Sequence, residues 1–285
     1  MHERYFGLNE KAFSIQPDPD FIYWSPNHEM AFAMLEYGIL NQAGFTVITG
    51  DVGCGKTTLV RQLLRQLDDK VTVGLLSHTM LGSGRLLEWV LMSLNRPFDA
   101  TSYVELYRQL QEFLVEEYGH GRRTVLIIDE AQNLDIDALE ELRMLSNINA
   151  DKHQLLQLIL VGQPQLRDQL QHPTLLQFAQ RVSSDFHLHP LDRDHVAEYV
   201  HHRMTKAGAA KSFFTPHAIE MIASASRGVP RTINILCDTA LVYAFSNGAA
   251  GVNIQIIRDV LEDKRKHGIF AEKTKPKEVL KKKVK

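Results

Sequence analysis

The stretch GDVGCGKT at residues 50–57 decides the fold expected for this chain. It matches the phosphate-binding loop pattern G-x-x-x-x-G-K-[ST] at every fixed position. The residues before it, GFTVITG (44–50), form an apolar, β-branched run of strand length. The residues after it, TTLVRQLLRQL (57–67), place leucines at helical spacing. The sequence therefore predicts a strand, a glycine loop and a helix, in the order that the pattern requires.

This loop predicts a binding site for phosphate and for a metal ion. Backbone N–H groups and the positive end of the helix dipole surround phosphate oxygens in such loops. Lys56 is expected to reach the β- and γ-phosphates of a nucleotide, and the Thr57 hydroxyl is expected to hold Mg²⁺. The residues assigned to nucleotide binding are Gly50, Asp51, Val52, Gly53, Cys54, Gly55, Lys56, Thr57 and Thr58.

Two acids follow a second apolar run, in TVLIIDEAQNL (124–134). A continuous apolar run is typical of a parallel strand covered on both faces, and ligands bind beyond the carboxyl ends of such strands. Asp129 is therefore expected to hold the water shell of Mg²⁺, as a metal-site residue together with Thr57. Glu130 is expected to orient the attacking water or to accept its proton. A water-positioning acid favours hydrolysis over transfer to a small molecule.

Gln163 and Arg231 are two further candidates for contact with the γ-phosphate. Gln163 ends the next apolar run, LVGQP (160–164), where an amide is placed to reach the γ-phosphate and the attacking water. Its alternative interpretation is a polar turn residue. Arg231 lies in RGVPRTIN (227–234), where a glycine and a proline fix a turn before a helix, and an ordinary surface arginine is the alternative there.

Arg181 is a candidate for catalysis between subunits. It stands in LLQFAQRVSSDF, just before the last predicted strand (182–190), whose sequence alternates like that of a less buried strand. We expect it to act in trans on the nucleotide of a neighbouring subunit, as an arginine finger does. Arg167 is a weaker candidate for the same role. A surface or salt-bridged arginine remains the alternative interpretation.

Strands and helices alternate along the first two thirds of the chain, which predicts an α/β fold with a parallel sheet of about five strands flanked by helices. The strands are predicted at 44–50, 71–77, 124–129, 155–162 and 182–190, and the helices at 28–41, 83–95, 102–118 and 135–147, with a short helical region before 182. After Pro190 only helical spacing remains, at 192–206, 215–226, 230–246 and 253–266, with Thr215 and Asn253 as helix caps. The predicted domains are an N-terminal linker and first helix (1–41), an α/β domain (42–190), a helical lid (191–267) and a basic, disordered tail (268–285).

Composition narrows the class of protein. The chain has 285 residues, of which 44% are hydrophobic and 23% charged, as in ordinary globular proteins. The sequence shows neither a membrane-spanning run of about 18 apolar residues nor a secretory signal at its N-terminus. Two cysteines argue against a disulfide scaffold and favour a reducing cytoplasm. Cys54 is interpreted as a small residue filling a variable loop position, with redox regulation as the alternative.

Charge is distributed unevenly. Residues 272–285 hold seven lysines and two glutamates, a net charge of +5, so residues 1–271 carry −7 of the total of −2. An acidic body disfavours a protein that coats DNA, whereas the tail is either a solvated end or a contact for acidic lipid or nucleic acid. Histidines at 187, 189, 201 and 202 raise metal binding as an alternative, but no cysteine or acid completes a ligand set, which favours surface histidines.

The ordered set of these motifs resembles that of the AAA+ ATPases. Gly50–Thr57 resembles Walker A, Asp129 and Glu130 resemble Walker B, and Gln163 resembles sensor 1. Arg181 resembles the arginine finger, and Gly228-Val229-Pro230-Arg231 resembles sensor 2. Within this class the stretches YFGL, AFSIQPDPDFIYWS, GFTVITGDVGCGKTTLVR, LIIDEAQNL and LVGQPQL resemble the general secretion pathway protein A family, the ExeA-type ATPases, over about residues 4–267. AF stands here where that family usually has PF after FGL.

The resemblance implies Mg²⁺-dependent ATP hydrolysis by an oligomer, in a ring or another assembly. It further implies partners in an envelope system for secretion, for type IV pilus biogenesis or for exopolysaccharide export. The expected location is the cytoplasm, with a peripheral place at the inner membrane as a variant. Some relatives carry a membrane helix and a peptidoglycan-binding domain, and we expect neither from this sequence. A DNA-associated ATPase, such as a transposition or replication helper, and a binding module that uses ATP as a switch stay open as alternatives.

Overall fold

The computed structural model describes residues 1–77, 85–99, 102–150 and 153–267. The strands in these ranges are β1 (Phe45–Gly50), β2 (Val71–Leu76), β3 (Arg123–Ile128), β4 (Asn149–Ala150), β5 (His153–Gln154), β6 (Leu156–Gly162) and β7 (Val182–Leu188). Five of them form one parallel sheet in the order β2-β3-β6-β1-β7. The predicted fold class, a five-stranded parallel sheet flanked by helices, is confirmed.

Helices occupy most of the remaining described chain. They are α1 (His2–Tyr5), α2 (Pro26–Leu40), α3 (Lys56–Gln66), α4 (Leu86–Ser93), α5 (Tyr103–Gly119), α6 (Ile136–Leu145), α7 (Pro164–Leu170), α8 (Leu176–Ala179), α9 (His195–Lys206), α10 (Pro216–Ser226), α11 (Pro230–Ser246) and α12 (Ile254–His267). The predicted start of α4, at residue 83, and the predicted basic tail at 268–285 lie outside the described residues. Among the described helices, none combines the length and the apolar character that crossing a membrane requires.

The chain divides into two compact units. The sheet unit comprises Ile15–His195 and Arg227–Thr232. The helical unit comprises Met1–Ser14, Val196–Ser226 and the described residues from Ile233 onward. Chain order therefore does not separate the units, because the sheet-unit segment Arg227–Thr232, which includes the start of α11, interrupts the helical unit.

Both faces of the sheet are covered by helices, which explains why its central strands read as continuous apolar runs. Alternate residues of β3 serve different clusters: Val125 and Ile127 pack in a cluster with α2 and α3, and Leu126 packs in a cluster with α4, α5 and α6. All six residues of β1 and all seven of β6 are buried. β7 lies at the edge of the sheet, where only Ser184 and Leu188 are buried, as its alternating sequence predicts.

The parallel pairing brings three strand ends to one edge of the sheet. Thr49 of β1 pairs with Gly162 of β6, and Ile128 of β3 pairs with Leu160 of β6. The chain segments that leave β1, β6 and β3 therefore emerge side by side. These are the segments that carry the phosphate-loop sequence, Gln163, and the two acids of the second motif.

In the helical unit, a buried polar network attaches the N-terminal segment to the helices. The Arg203 guanidinium donates from Nε to the carbonyl of Ala12 at 2.7 Å and from Nη1 to the hydroxyl of Tyr199 at 3.1 Å. That hydroxyl donates to Asn234 Oδ1 at 2.8 Å, and Asn234 Nδ2 donates to the carbonyl of Ser14 at 3.0 Å. Because buried polar groups are costly unless they are paired, this chain of bonds fixes residues 12–14 against α9 and α11.

Most predicted elements are present with ends shifted by a few residues, and the two predicted caps are confirmed. Thr215 Oγ1 accepts from the Ala218 N–H at 3.4 Å, and Asn253 Oδ1 accepts from the N–H of Ile256 at 3.1 Å. The short helix α1 and the antiparallel pair β4–β5 were not predicted. Each is too short to show a hydrophobic period, which is the signal that sequence reading depends on.

Glu117 of α5 stabilises the far end of the sheet. Its buried carboxylate accepts from Arg122 Nε at 2.8 Å, and further hydrogen bonds come from Arg122 Nη2 and the Thr72 hydroxyl of β2. The bonds from Arg122 lower the pKa of Glu117 to about 2, against the opposing effect of burial, and the Thr72 hydroxyl lowers it further. The ionised form of Glu117 therefore favours the folded state.

We predict that Glu117→Gln lowers the free energy of unfolding by about 1–2 kcal/mol at pH 7. The substitution removes the charge of the carboxylate that accepts from Arg122, and Arg122 is itself partly exposed. An unpaired glutamate titrates near 4.3, so the contribution is complete above about pH 5 and is lost as the pH falls toward 2. Urea unfolding of the parent and of Glu117→Gln between pH 7 and pH 3 measures whether their free energies of unfolding converge as the pH falls. The neighbouring Glu116, which is 56% exposed, provides the control Glu116→Gln, with a change within about 0.5 kcal/mol. An equal difference between parent and Glu117→Gln at all pH values would contradict the assignment.

Candidate functional site

The loop between β1 and α3 closes around the side chain of Lys56. Lys56 is buried, and its Nζ donates to the carbonyl of Gly50 at 2.7 Å and to that of Asp51 at 3.0 Å. Burial lowers the pKa of Lys56, while the carboxylates of Glu130 and Asp129 act in the opposite direction. The ammonium group is thus held at the mouth of the loop, facing the acids of the second motif.

Two glycines of the loop are required by its shape. Gly53 has φ +86° and Gly55 has φ +101°, in the left-handed region that residues with a side chain rarely adopt. A Cβ at Gly53 would lie 2.6 Å from the Cβ of Arg231, and the Arg231 N–H donates to the Gly53 carbonyl at 3.1 Å. The first turn of α11 therefore lies directly against the loop.

Thr57 and Asp129 meet in the way that the sequence motifs predict for a metal site. The Thr57 hydroxyl donates to Asp129 Oδ2 at 2.8 Å, and Asp129 Oδ1 accepts from the Glu130 N–H at 2.9 Å. Burial raises the pKa of Asp129, whereas these two bonds and the charge of Lys56 lower it in part. A hydroxyl and a carboxylate side by side are the hard oxygen ligands that Mg²⁺ prefers, so the residues fit that ion.

Glu130 is held in a specific orientation. Its backbone has φ +55°, a conformation uncommon for residues other than glycine. Its Oε2 accepts from Gln132 Nε2 at 2.6 Å and from Gln163 Nε2 at 3.1 Å. Burial raises the pKa of Glu130, but the bonds from Gln132 and Gln163 and the charge of Lys56 outweigh it, so the pKa lies below its usual value. Glu130 is thus an ionised carboxylate beside the loop.

Gln132 was missed by the sequence analysis. Its Oε1 accepts from the Gln163 N–H at 2.9 Å while its Nε2 donates to Glu130, so it bridges the segments after β3 and β6. The only signal was its place two residues after Glu130, inside the quoted stretch LIIDEAQNL. Such an amide cannot be distinguished by sequence from an ordinary turn residue.

His28 was also missed. It is a buried residue in the first turn of α2, with Nε2 3.0 Å from the Cys54 carbonyl and Nδ1 2.8 Å from Ser25 Oγ. Burial lowers the pKa of His28, with the bond to the Cys54 carbonyl acting in the opposite direction. A serine–proline helix start was visible in SPNH, but nothing in the sequence connected it with the loop.

Cys54 itself faces the core. Its side chain is fully buried, and burial raises the pKa of the thiol to about 11. Because the thiolate is the reactive form, a buried protonated thiol is poorly reactive. This environment favours the interpretation of Cys54 as a small filling residue over the redox alternative.

The three candidate arginines lie in different places. Arg181 lies just before the amino end of β7, at the end of the strands opposite the phosphate loop. Its Nη1 donates to Ser146 Oγ at 3.0 Å. The structure therefore does not bring Arg181 together with Lys56 and Glu130 of the same chain. Arg167, on α7, lies at the same edge as the loop with an exposed side chain. Arg231 is exposed and reaches the loop through its backbone.

His187 of β7 and His189, which follows that strand, form a small pair. The rings of His187 and His189 meet edge to face at 4.7 Å, and His187 Nδ1 lies 2.9 Å from Thr49 Oγ1. Burial lowers the pKa of His187, and the neighbouring His189 lowers it further. In the part of the chain that the structure describes, no three His, Cys, Asp or Glu side chains are grouped as a metal site.

Comparisons with known proteins identify the domain family and the fold. Residues 39–170 match the model of an AAA domain family. General secretion pathway protein A from Aeromonas hydrophila is 39% identical over 250 residues, which cover 87% of this chain and 46% of that protein. This chain thus spans about half the length of the curated relative that it matches.

Solved structures share the fold at low identity. The ORC2 protein of Aeropyrum pernix, in ADPNP–ADP complexes, matches with a TM-score of 0.62 and 16% identity, covering 87% of this chain and 72% of that one. The ORC1 protein of Aeropyrum pernix, in complex with DNA, matches with a TM-score of 0.65 and 17% identity, covering 90% of this chain and 70% of that one.

The phosphate loop, the paired acids and the parallel sheet, taken with the AAA domain match, define an AAA+ ATPase. Within that class, the chain is related to general secretion pathway protein A over 87% of its own length.

Proposed function

We propose that this protein binds ATP with Mg²⁺ and hydrolyses it at the site between Lys56, Thr57, Asp129 and Glu130. The observation that carries this proposal is the bond from the Thr57 hydroxyl to Asp129, next to a buried lysine and an ionised glutamate. Phosphoryl transfer to water needs a cation to neutralise phosphate charge, ligands for the metal and a group that positions water.

Each residue then has a defined role. Lys56 exchanges its carbonyl partners for β- and γ-phosphate oxygens, while the loop N–H groups surround the phosphates. Thr57 and Asp129 hold Mg²⁺, which when bound supplies charge neutralisation to the phosphate oxygens. Glu130 accepts a proton from the attacking water or orients it. Gln163, already bonded to Glu130, is within the same group of side chains and positions the water and the γ-phosphate.

The arginines extend the site beyond these residues. We assign Arg231 to the γ-phosphate, because its backbone is bonded to Gly53 of the loop. Arg181 serves the site of a neighbouring subunit, because it lies at the opposite sheet edge from its own loop. This assignment requires self-association, in a ring or another oligomer, and Arg167 is the alternative finger.

The biological process proposed is an envelope system of secretion, pilus assembly or exopolysaccharide export, served from the cytoplasm or the inner membrane surface. Its support is the relative named general secretion pathway protein A, at 39% identity over most of this chain. A DNA-associated helper ATPase is the second candidate, supported by the fold shared with an ORC1 protein solved with DNA. The net charge of −7 on residues 1–271 weighs against that candidate.

Substitutions of Glu130 and Lys56 separate hydrolysis from binding. Glu130→Gln keeps the shape of the side chain but cannot accept a proton, so we expect ATP affinity near that of the parent and turnover reduced by about 100-fold or more. Lys56→Ala removes the cation, so we expect nucleotide affinity to fall by about tenfold or more. Calorimetry with ADP and ATP, together with phosphate release, measures both. Glu112→Gln, at a residue 62% exposed on α5, is the matched control. Parental turnover in Glu130→Gln would remove Glu130 from catalysis.

Mixing experiments test the role of Arg181 between subunits. We expect Arg181→Ala to bind ATP normally and to lose turnover by about 10³-fold or more, as when an arginine finger is removed. Mixed with Glu130→Gln protein, it regains activity at interfaces that pair an intact Glu130 with an intact Arg181. Ser146→Ala, which removes only the local partner of Arg181, should keep turnover, and Arg167→Ala tests the competing arginine. Absence of rescue at every mixing ratio, with specific activity independent of concentration, would count against a shared site.

The response of the ATPase rate to DNA distinguishes an envelope role from a DNA-associated role. We expect duplex DNA at physiological salt to change the ATPase rate less than about twofold, because phosphate binding requires clustered Lys and Arg. A variant lacking residues 272–285 should keep its ATPase rate and lose any residual DNA binding. In parallel, a pull-down from membrane extract, with the bound proteins identified, tests for an envelope partner. Strong DNA stimulation that survives removal of the tail, with no envelope protein recovered, would establish the DNA-associated alternative.

A further inference from the structure

The ring of His28 is fixed by a single consistent set of hydrogen bonds. The Cys54 carbonyl can only accept, so His28 Nε2, at 3.0 Å, carries the proton of that bond. In a neutral ring Nδ1 is then an acceptor, so the Ser25 hydroxyl donates to it at 2.8 Å. Ser25 Oγ in turn accepts from the His28 N–H at 3.4 Å, as an N-cap of α2.

This arrangement determines the direction of a loop N–H group. In a trans peptide the C=O and the N–H of the following residue point to opposite sides of one plane. Holding the Cys54 carbonyl toward His28 therefore turns the Gly55 N–H away from His28. Backbone N–H groups in this part of a phosphate loop are those that surround phosphate oxygens.

The ring also limits the space behind the loop. A Cβ at Gly55 would lie 3.1 Å from His28 Nε2, so ring and backbone are in close contact. Cys54 is fixed on its other side, because its thiol is buried in the apolar cluster with α2 and α3. The peptide between Cys54 and Gly55 thus cannot rotate without breaking the bond to His28 or moving the Cys54 side chain.

The segment that precedes His28 contacts α3, the helix that follows the phosphate loop. Arg61 of α3 donates to the Pro17 carbonyl at 2.6 Å, and Arg65 pairs with Asp20 at 2.8 Å. The second of these contacts is solvent-exposed at both ends, at 50% and 63%. Pro17 and Asp20 therefore contact the middle and the last turn of α3, and His28 contacts the loop that precedes this helix.

We propose that His28 is a positioning residue for phosphate binding, which holds the Cys54–Gly55 peptide with its N–H turned toward the phosphates. This inference rests on the proposed nucleotide binding by the loop. Ser25 supports it by fixing the orientation of the ring. Neither residue contacts the reacting atoms, so the effect falls on nucleotide affinity rather than on the chemical step.

Substitutions of His28 that differ only in the donor test this role. His28→Phe keeps a ring of similar size without a donor, and His28→Gln keeps an N–H donor at the reach of Nε2. We expect His28→Phe to weaken ADP binding by about tenfold, and His28→Gln to stay within about threefold of the parent. The loss in His28→Phe should appear in KM, with kcat within about twofold. Isothermal calorimetry with ADP and steady-state ATPase kinetics measure these values on the full chain.

Two further variants separate positioning from general destabilisation. Arg65→Ala removes another contact between the same two segments and should keep parental ADP affinity. Amide hydrogen exchange should rise at residues 50–57 in His28→Phe without rising along α3. If His28→Phe does not fold, Ser25→Ala takes its place, with ADP binding weaker by about threefold.

The proposal is overturned if His28→Phe binds ADP like the parent, or if His28→Gln loses as much affinity as His28→Phe. It is also overturned if Ser25→Ala, used in place of an unfolded His28→Phe, keeps parental affinity. These outcomes are distinct from failure of the proposed function. If Lys56→Ala binds ADP as tightly as the parent, the loop is not the nucleotide site at all. If Lys56→Ala loses binding while His28→Phe does not, only the role of His28 is wrong.

Discussion

Parallel pairing of β3, β6 and β1 is the constraint on which the site depends. Strands that run in one direction deliver their carboxyl ends to one edge, so the segments after them meet in space although they are far apart in the chain. Thr57 reaches Asp129 across this edge, and Gln163 reaches Glu130. Antiparallel pairing of any of these three strands would send its segment to the opposite edge and separate these groups. Burial of the strands on both faces fixes their order and register, because a slip would expose apolar residues that the helices now cover.

The site combines rigid and charged parts in a way that suits phosphate chemistry. The loop contributes backbone groups, and its two left-handed glycines allow a path that no side chain would tolerate. Burial lowers the pKa of Lys56, and the nearby carboxylates of Glu130 and Asp129 act in the opposite direction. Glu130 is kept ionised by two amides that donate to it. Charge of both signs is thus held within one small region by neighbouring side chains rather than by solvent.

Polar side chains outside the proposed phosphate site hold the site residues in position. Gln132 connects the segments after β3 and β6, and His28 connects the start of α2 to the loop. Both are neutral side chains that donate to an acceptor, Glu130 or the Cys54 carbonyl, so they fix orientation without adding charge. Such supporting residues decide geometry to fractions of an ångström, and catalysis depends on geometry at that scale. The helical unit uses the same device, since Arg203 and Asn234 fix the N-terminal segment through backbone carbonyls.

The sequence by itself determined the fold class, the positions of the strands along the chain and the pair of motifs proposed to make up the site. It could do so because a phosphate loop and a buried strand ending in two acids are local patterns, each set by glycine conformation or by hydrophobic period. Only the tertiary structure decided which polar groups meet. His28 and Gln132 have no local signal, Arg181 was placed at the edge opposite its own loop by the direction of β7, and residues 1–14 joined the helical unit through contacts with Arg203 and Asn234. These outcomes depend on contacts between residues distant in the chain, which packing selects and which no short pattern encodes.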